Sequence, residues 1–127
     1  MKGVIVKRIV PVHSDERGSI SDLLNEKINH VGLITTSIGS VRGNHYHKES
    51  IQYSYILSGK FEVLVAEANN MKKTEKIVLN AGEIIILSAG VVHSFRALED
   101  STMIDMISIS REGTGYEDDV VKGMILK

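Results

Sequence analysis

Hydrophobic and polar positions along this chain fall into short runs of alternating or β-branched residues, each closed by glycine, asparagine, aspartate or serine. That rhythm predicts an all-β sandwich or barrel rather than helices. Val4 to Val12 reads as a strand that runs into Pro11, the only proline, and so belongs at an edge or in an exchanged position. His13 to Gly18 has turn composition, and Ser19 to Leu24 follows as a strand. Further strands are expected at Val31–Ile38, Gln52–Leu57, Phe61–Ala66, Lys76–Leu79, Ile84–Leu87, Val92–Leu98 and Met103–Ser110, with a polar hairpin tip at Asn69 to Lys73. A single short turn of helix is expected in the tail between Glu117 and Leu126, with Asp118 and Asp119 in its first turn.

Side-chain parity locates the core, because residues two apart in a strand share a face. Phe61, Val63 and Val65 lie on one face against Glu62 and Leu64. In the last strand, Met103, Asp105, Ile107 and Ile109 oppose Ile104, Met106 and Ser108, so both faces are largely apolar. A strand of that kind sits between a barrel interior and a second layer, often a partner subunit, and a homodimer is expected.

Composition narrows the function classes. The chain of 127 residues is long enough to bury a substantial core and reads as one domain over 1–127. Its formal net charge of −1, with the basic residues scattered among acids, offers no broad field for nucleic acid. No cysteine is present, which removes disulfide and thiol chemistry and suits the cytoplasm. No apolar run approaches membrane-spanning length, and charges near the first residues interrupt any signal-peptide pattern.

Candidate chemistry concentrates between Gly39 and Gly59. His45 and His47 are one residue apart in strand-like sequence, so their imidazoles share a face while Tyr46 points away. Two imidazoles side by side are a chelating pair, and His93 is the candidate third ligand. His13 and His30 read as surface or turn residues.

These residues resemble the cupin superfamily. Its first motif fits Gly39, His45, His47 and Gly59, with Gln52 in the slot of its glutamate, and its second fits Gly82, Gly90 and His93. Ser88 and Ala97 stand in the proline and asparagine slots of that second motif. The resemblance implies an antiparallel jelly-roll barrel and a metal set of His45, His47, Gln52 and His93, for zinc, nickel, iron or manganese, with no organic cofactor. A glutamine supplies a neutral oxygen in place of a carboxylate, so such a site would bind its ion more weakly and polarise a bound oxygen more strongly. Glu49 is an alternative carboxylate, though it reads first as a solvated turn residue.

The Arg42-Gly43-Asn44-His45-Tyr46-His47 run, with Asp15-Glu16-Arg17-Gly18 ahead of it, resembles a narrower group. These are the cupins that isomerise or epimerise nucleotide-linked 4-keto sugars, the 3,4-ketoisomerases and 3,5-epimerases. The resemblance implies that His45 and His47 are catalytic, that Arg17 and Arg42 bind the pyrophosphate, and that a tyrosine or second histidine returns a proton. It does not place that tyrosine among Tyr46, Tyr53, Tyr55 and Tyr116. The chemistry is sound on its own terms, since a C–H beside a ketone is acidic enough for a neutral imidazole and guanidinium binds phosphate bidentately. The competing expectation is a metal-binding cupin that acts on, or senses, an unrelated small molecule.

Overall fold

The structure, a computed structural model, describes residues 1–109 and 115–122. Among the described residues, twelve strands and one short helix follow in the order β1 (Val4–Arg8), β2 (His13–Asp15), β3 (Gly18–Ile20), β4 (His30–Thr36), β5 (Val41–His47), β6 (Gln52–Ser58), β7 (Lys60–Glu67), β8 (Asn70–Asn80), β9 (Glu83–Leu87), β10 (Val91–Ala97), β11 (Ser101–Ile107), α1 (Gly115–Asp119) and β12 (Val120–Lys122). They form two five-stranded sheets, β1-β9-β6-β11-β4 and β12-β5-β10-β7-β8, with β2 and β3 as a separate hairpin. Every strand pair is antiparallel, and the two sheets face each other as a jelly roll.

The core lies between the sheets where parity puts it. Phe61, Val63 and Val65 of β7 are fully buried, and they meet Ile56, Ile85, Leu87 and Met103 from the facing sheet. Phe61 and Phe95 pack edge-to-face with ring centroids 5.7 Å apart, a favoured aromatic geometry. On the outer face of the first sheet, Tyr53, Ile84 and Met106 are covered by Ile9, Leu24 and Ile28. Part of the second layer over β11 is therefore the chain's own segment, where the pattern of apolar residues pointed to a partner.

Element ends depart from the sequence pattern in physically explicable ways. β1 stops at Arg8 before Pro11 and does lie at a sheet edge, as a strand approaching proline should. The expected strand from Ser19 to Leu24 lasts only to Ile20, because Leu24 leaves the hairpin to cover the outer face. The hairpin tip is Ala68-Asn69 alone; Asn70 to Lys73 already belong to β8, with Asn70 opposite Glu67. In the tail, α1 ends at Asp119 and the chain turns back into a strand; Leu126 and Ser110, the ends expected for the tail helix and the last strand, lie outside the described residues.

Gly59 shows how tightly the β6–β7 turn is drawn. Its φ is +91°, and an added Cβ would lie 2.0 Å from the Ser101 hydroxyl oxygen, so only glycine fits there.

Candidate active site

β5 carries a bulge that builds the site. His45 opposes His93 and Gly43 opposes Ser94, which leaves Asn44 as the extra residue. Gly43 and Asn44 both take positive φ, +86° and +64°. In a regular strand, residues three apart face opposite ways; here Arg42 opposes Phe95 and His45 opposes His93, so both are turned to the inner face. The Arg-Gly-Asn-His run is thus a local device for putting an arginine and two histidines on one wall.

His45, His47 and His93 converge. Their ring centroids are 4.8 to 5.6 Å apart, and one ligand atom from each lies within 4.8 Å of the others. His47 and His93 are buried, at 2% and 1% exposure, and His45 is half-buried. The Nδ1–H of His93 donates to the Val91 carbonyl at 3.1 Å, which fixes its tautomer and leaves a lone pair on Nε2. That Nε2 is buried and has no hydrogen-bond partner. Burial, reinforced by the neighbouring imidazoles, pulls His93 down to about 3 and His45 down to about 4, so both rings are neutral at pH 7.

His47 is held from two sides. Its Nδ1 lies 3.2 Å from an Asp119 carboxylate oxygen, and its Nε2 lies 3.0 Å from the Gln52 side-chain oxygen. The Gln52 amide continues to the Ser54 hydroxyl at 3.0 Å, and Ser54 donates to Asp105 at 2.7 Å. A line of buried polar groups therefore crosses from one sheet to the other, with a carboxylate at each end. Burial raises Asp105. It would raise Asp119 too, but bonds from the Ser50 hydroxyl, the Glu49 and Ser50 N–H groups and the nearby His47 ring outweigh it, leaving Asp119 below the usual carboxylate range.

Asp119, Ser54 and Asp105 were not among the candidate site residues read from the sequence. Asp119 arrives because β12 pairs with β5, setting Val120 opposite His47 and bringing Asp119 to His47 across 72 positions, which no local pattern encodes. Gln52 stands beside His47 as the motif requires. Glu49 is exposed and contributes its backbone N–H to Asp119 rather than a carboxylate to the site.

The arginines part company. Arg42 lies near the start of β5 on the register of the inner face but is exposed, with its guanidinium donating to the Thr36 hydroxyl and the Thr35 carbonyl, each at 2.8 Å. Arg17 sits on the β2–β3 hairpin outside the barrel, its side chain 82% exposed and paired with Asp15 at 2.7 Å. That pairing holds Asp15 down at about 2. Of the tyrosines, Tyr53 and Tyr55 pack on the outer face of the first sheet and Tyr46 lies on the side of β5 away from His45 and His47; the Tyr116 side chain lies outside the described set.

The model of the cupin domain matches residues 32–109, well over half of the chain. The chain belongs to the cupin family. Among solved structures, this cupin superposes on a 3,4-ketoisomerase from Helicobacter canadensis with a TM-score of 0.78 at 20% identity, covering 94% of this chain and 90% of that one. A sugar 3,4-ketoisomerase from Thermoanaerobacterium thermosaccharolyticum in complex with TDP gives 0.78 at 17%, over 97% and 90%. The dTDP-4-dehydrorhamnose 3,5-epimerase from Sulfolobus tokodaii gives 0.72 at 22%, over 91% and 76%. At these identities the likeness establishes the fold. No curated protein matches the sequence of this cupin. Among the described residues no helix is long and apolar enough to cross a membrane.

As metal ligands the three histidines fit in kind: two are held neutral, and His93 presents a buried lone pair. An ion bound at about 2.0–2.1 Å from each nitrogen in tetrahedral geometry holds its ligand atoms about 3.4 Å apart, so a cluster whose ligand atoms lie within 4.8 Å of one another would have to draw in to hold one. His47 would also have to exchange Gln52 for the ion, because the two now face each other.

Proposed function

We propose that this cupin is an isomerase or epimerase that removes and returns a proton next to the ketone of a nucleotide-linked 4-keto sugar. The observation that carries the reading is the Asp119–His47 pair at the wall of a barrel in which His45 and His93 are held neutral. A carboxylate accepting from Nδ1 fixes the ring so that Nε2 is the basic atom and stabilises the charge that forms when it takes a proton. As placed, Gln52 turns its oxygen toward that Nε2, which suits the ring after it has gained a proton; the reversed amide would donate to Nε2 and suit the ring before. His45 and His47 are the catalytic candidates. Arg42, held by Thr35 and Thr36, is the nearer candidate for the pyrophosphate, and Arg17 a second one that must exchange Asp15 for it.

A metal held by His45, His47 and His93, with Gln52 beside them, would act as a Lewis acid on a substrate oxygen. The three-histidine cluster is also what supports the second reading, a metal-binding cupin with an unrelated ligand. The proposal includes a homodimer. Val31 and Leu33, 63% and 69% exposed, lie on the outward face of β4, an edge strand whose free side is ready to meet a second copy.

The test is proton exchange. Incubated in deuterated water with dTDP- or UDP-linked 4-keto-6-deoxy sugars, the protein should wash deuterium into the carbon beside the ketone. His47→Ala should abolish this with little change in binding, whereas Arg42→Ala should weaken binding. Exchange that survives a chelator assigns the imidazole as the base; no exchange and no binding across the panel would favour the metal-binding reading.

A further inference from the structure

Proton transfer beside a ketone needs a group that takes a proton and one that gives it back. Three of the four tyrosines that offer themselves from the sequence, Tyr46, Tyr53 and Tyr55, face away from the histidines, and the Tyr116 side chain lies outside the described set. The sheet opposite His47 carries another candidate.

His30 opens β4 directly opposite Ile107, and Gly32 is opposite Asp105. Ile107 and Asp105 are buried, and along β4 the partners of the same parity are Ile34, packed on the core, and the buried Thr36. Val31 and Leu33, of the other parity, are strongly exposed. His30 therefore faces the barrel interior, contrary to its reading as a surface residue. It lies at the same end as His47, because Ile107 of β11 stands opposite His30 on one side and opposite Gln52, the hydrogen-bond partner of His47, on the other. The His30 ring folds over Gly32, with Cε1 3.1 Å and Nε2 3.7 Å from where a Cβ would stand, so glycine is what makes room for it. Its Nδ1 is buried without a hydrogen-bond partner, and Asp105 interacts electrostatically with both His30 and His47. A buried, unpartnered imidazole nitrogen costs free energy that a ligand's polar group would restore.

We propose that His30 is a second proton-transfer residue, acting on the substrate from the sheet opposite His47, with Asp105 beside it and Gly32 seating its ring. This rests on the proposed function and sharpens it, because groups on opposite walls favour inversion. One imidazole takes the proton from the carbon beside the ketone, and the C–H electron pair becomes the C=C bond of an enolate. The other ring, which enters the cycle as the imidazolium, gives its N–H proton to the opposite face of the same carbon as the C=O re-forms and is left as neutral imidazole. Atoms and electrons balance with no oxidant or added reactant, and solvent resets the two rings.

The experiment separates exchange from conversion. With a keto sugar that the wild type turns over in deuterated water, His30→Gln should still wash deuterium into the substrate, because His47 can remove and return a proton on its own face. Formation of the inverted product should fall about 10²-fold or more, the usual range for losing a general acid, with KM changed little. Gly32→Ala, which pushes the ring aside while keeping it, should lower conversion in the same direction and serves as the second variant if His30→Gln fails to fold. Full conversion by both variants overturns the proposal, as does loss of exchange together with conversion in a folded variant. A wild type that exchanges but yields only a product with unchanged configuration also overturns it. A wild type inert toward every keto sugar overturns the underlying reading of the site and this inference with it.

Discussion

At the scale of single residues, the site depends on which groups burial leaves charged. Asp119 is buried yet kept below the usual carboxylate range by the hydroxyl and N–H groups around it, so it remains an anion fit to orient His47. Asp119→Asn should keep the fold but offer Nδ1 an amide, which can hold the wrong tautomer as readily as the right one, and the proton-exchange rate should fall by about 10² or more. An unchanged rate in a folded Asp119→Asn protein would remove the pair from the mechanism. The histidines also set a pH dependence. His45 and His93 take a proton only near 4 and near 3 in the folded protein, against 6.5 when unperturbed. Between those limits the unfolded chain binds more protons, so stability should rise with pH from about 3 to 6.5 and be lost as the pH falls through that window. Asp105 opposes this, since its raised value makes the folded form the proton binder above 3.8. Asp119, held low in the folded protein, acts in the same direction as the two histidines, and the urea midpoint of chelator-treated protein should be lower at pH 4.5 than at pH 7; equal midpoints would contradict the account.

At the scale of elements, the bulge in β5 and the return of β12 matter most. Gly43 holds the bulge: its φ is +86°, and a Cβ there would lie 2.9 Å from the His93 carbonyl oxygen. Gly43→Ala should cost roughly 1–3 kcal/mol in stability from backbone strain alone and should lower exchange activity further by shifting His45 and His93. Denaturation midpoints and exchange rates measured on the same sample check both, and a variant as stable and as active as the wild type would show that the bulge is dispensable. This element was half legible. The Gly-X-His-X-His spacing announced two imidazoles on one face, but the alternation of a strand says nothing of the extra residue that brings Arg42 onto the same side. The tail was legible in part: the short helix is there, but at Gly115–Asp119, so Asp119 stands at its end rather than in its first turn.

At the scale of the molecule, the free edge and outward face of β4 set the expectation of self-association. Leu33→Asp places a charge in the middle of that face, so a homodimer by sedimentation should become a monomer while the buried site, on the other side of the strand, keeps its geometry. A wild type that sediments as a monomer at micromolar concentration would refute the dimer.

The sequence by itself determined the strand-rich fold, the inward face of β7, and the meeting of His45, His47 and His93, because period-two alternation and two short motifs are local signals that one sheet face must obey. Tertiary structure decided the partners. Asp119 reaches His47 through a strand added from the tail, Asp105 through Ser54 and Gln52 across the barrel, and His30 through the pairing of β4 with β11, which sets it across Ile107 from Gln52. Whether a polar side chain is a solvated turn residue or a buried member of a site depends on which strand pairs with its own. That is settled by long-range packing, which leaves no periodicity in the chain to read.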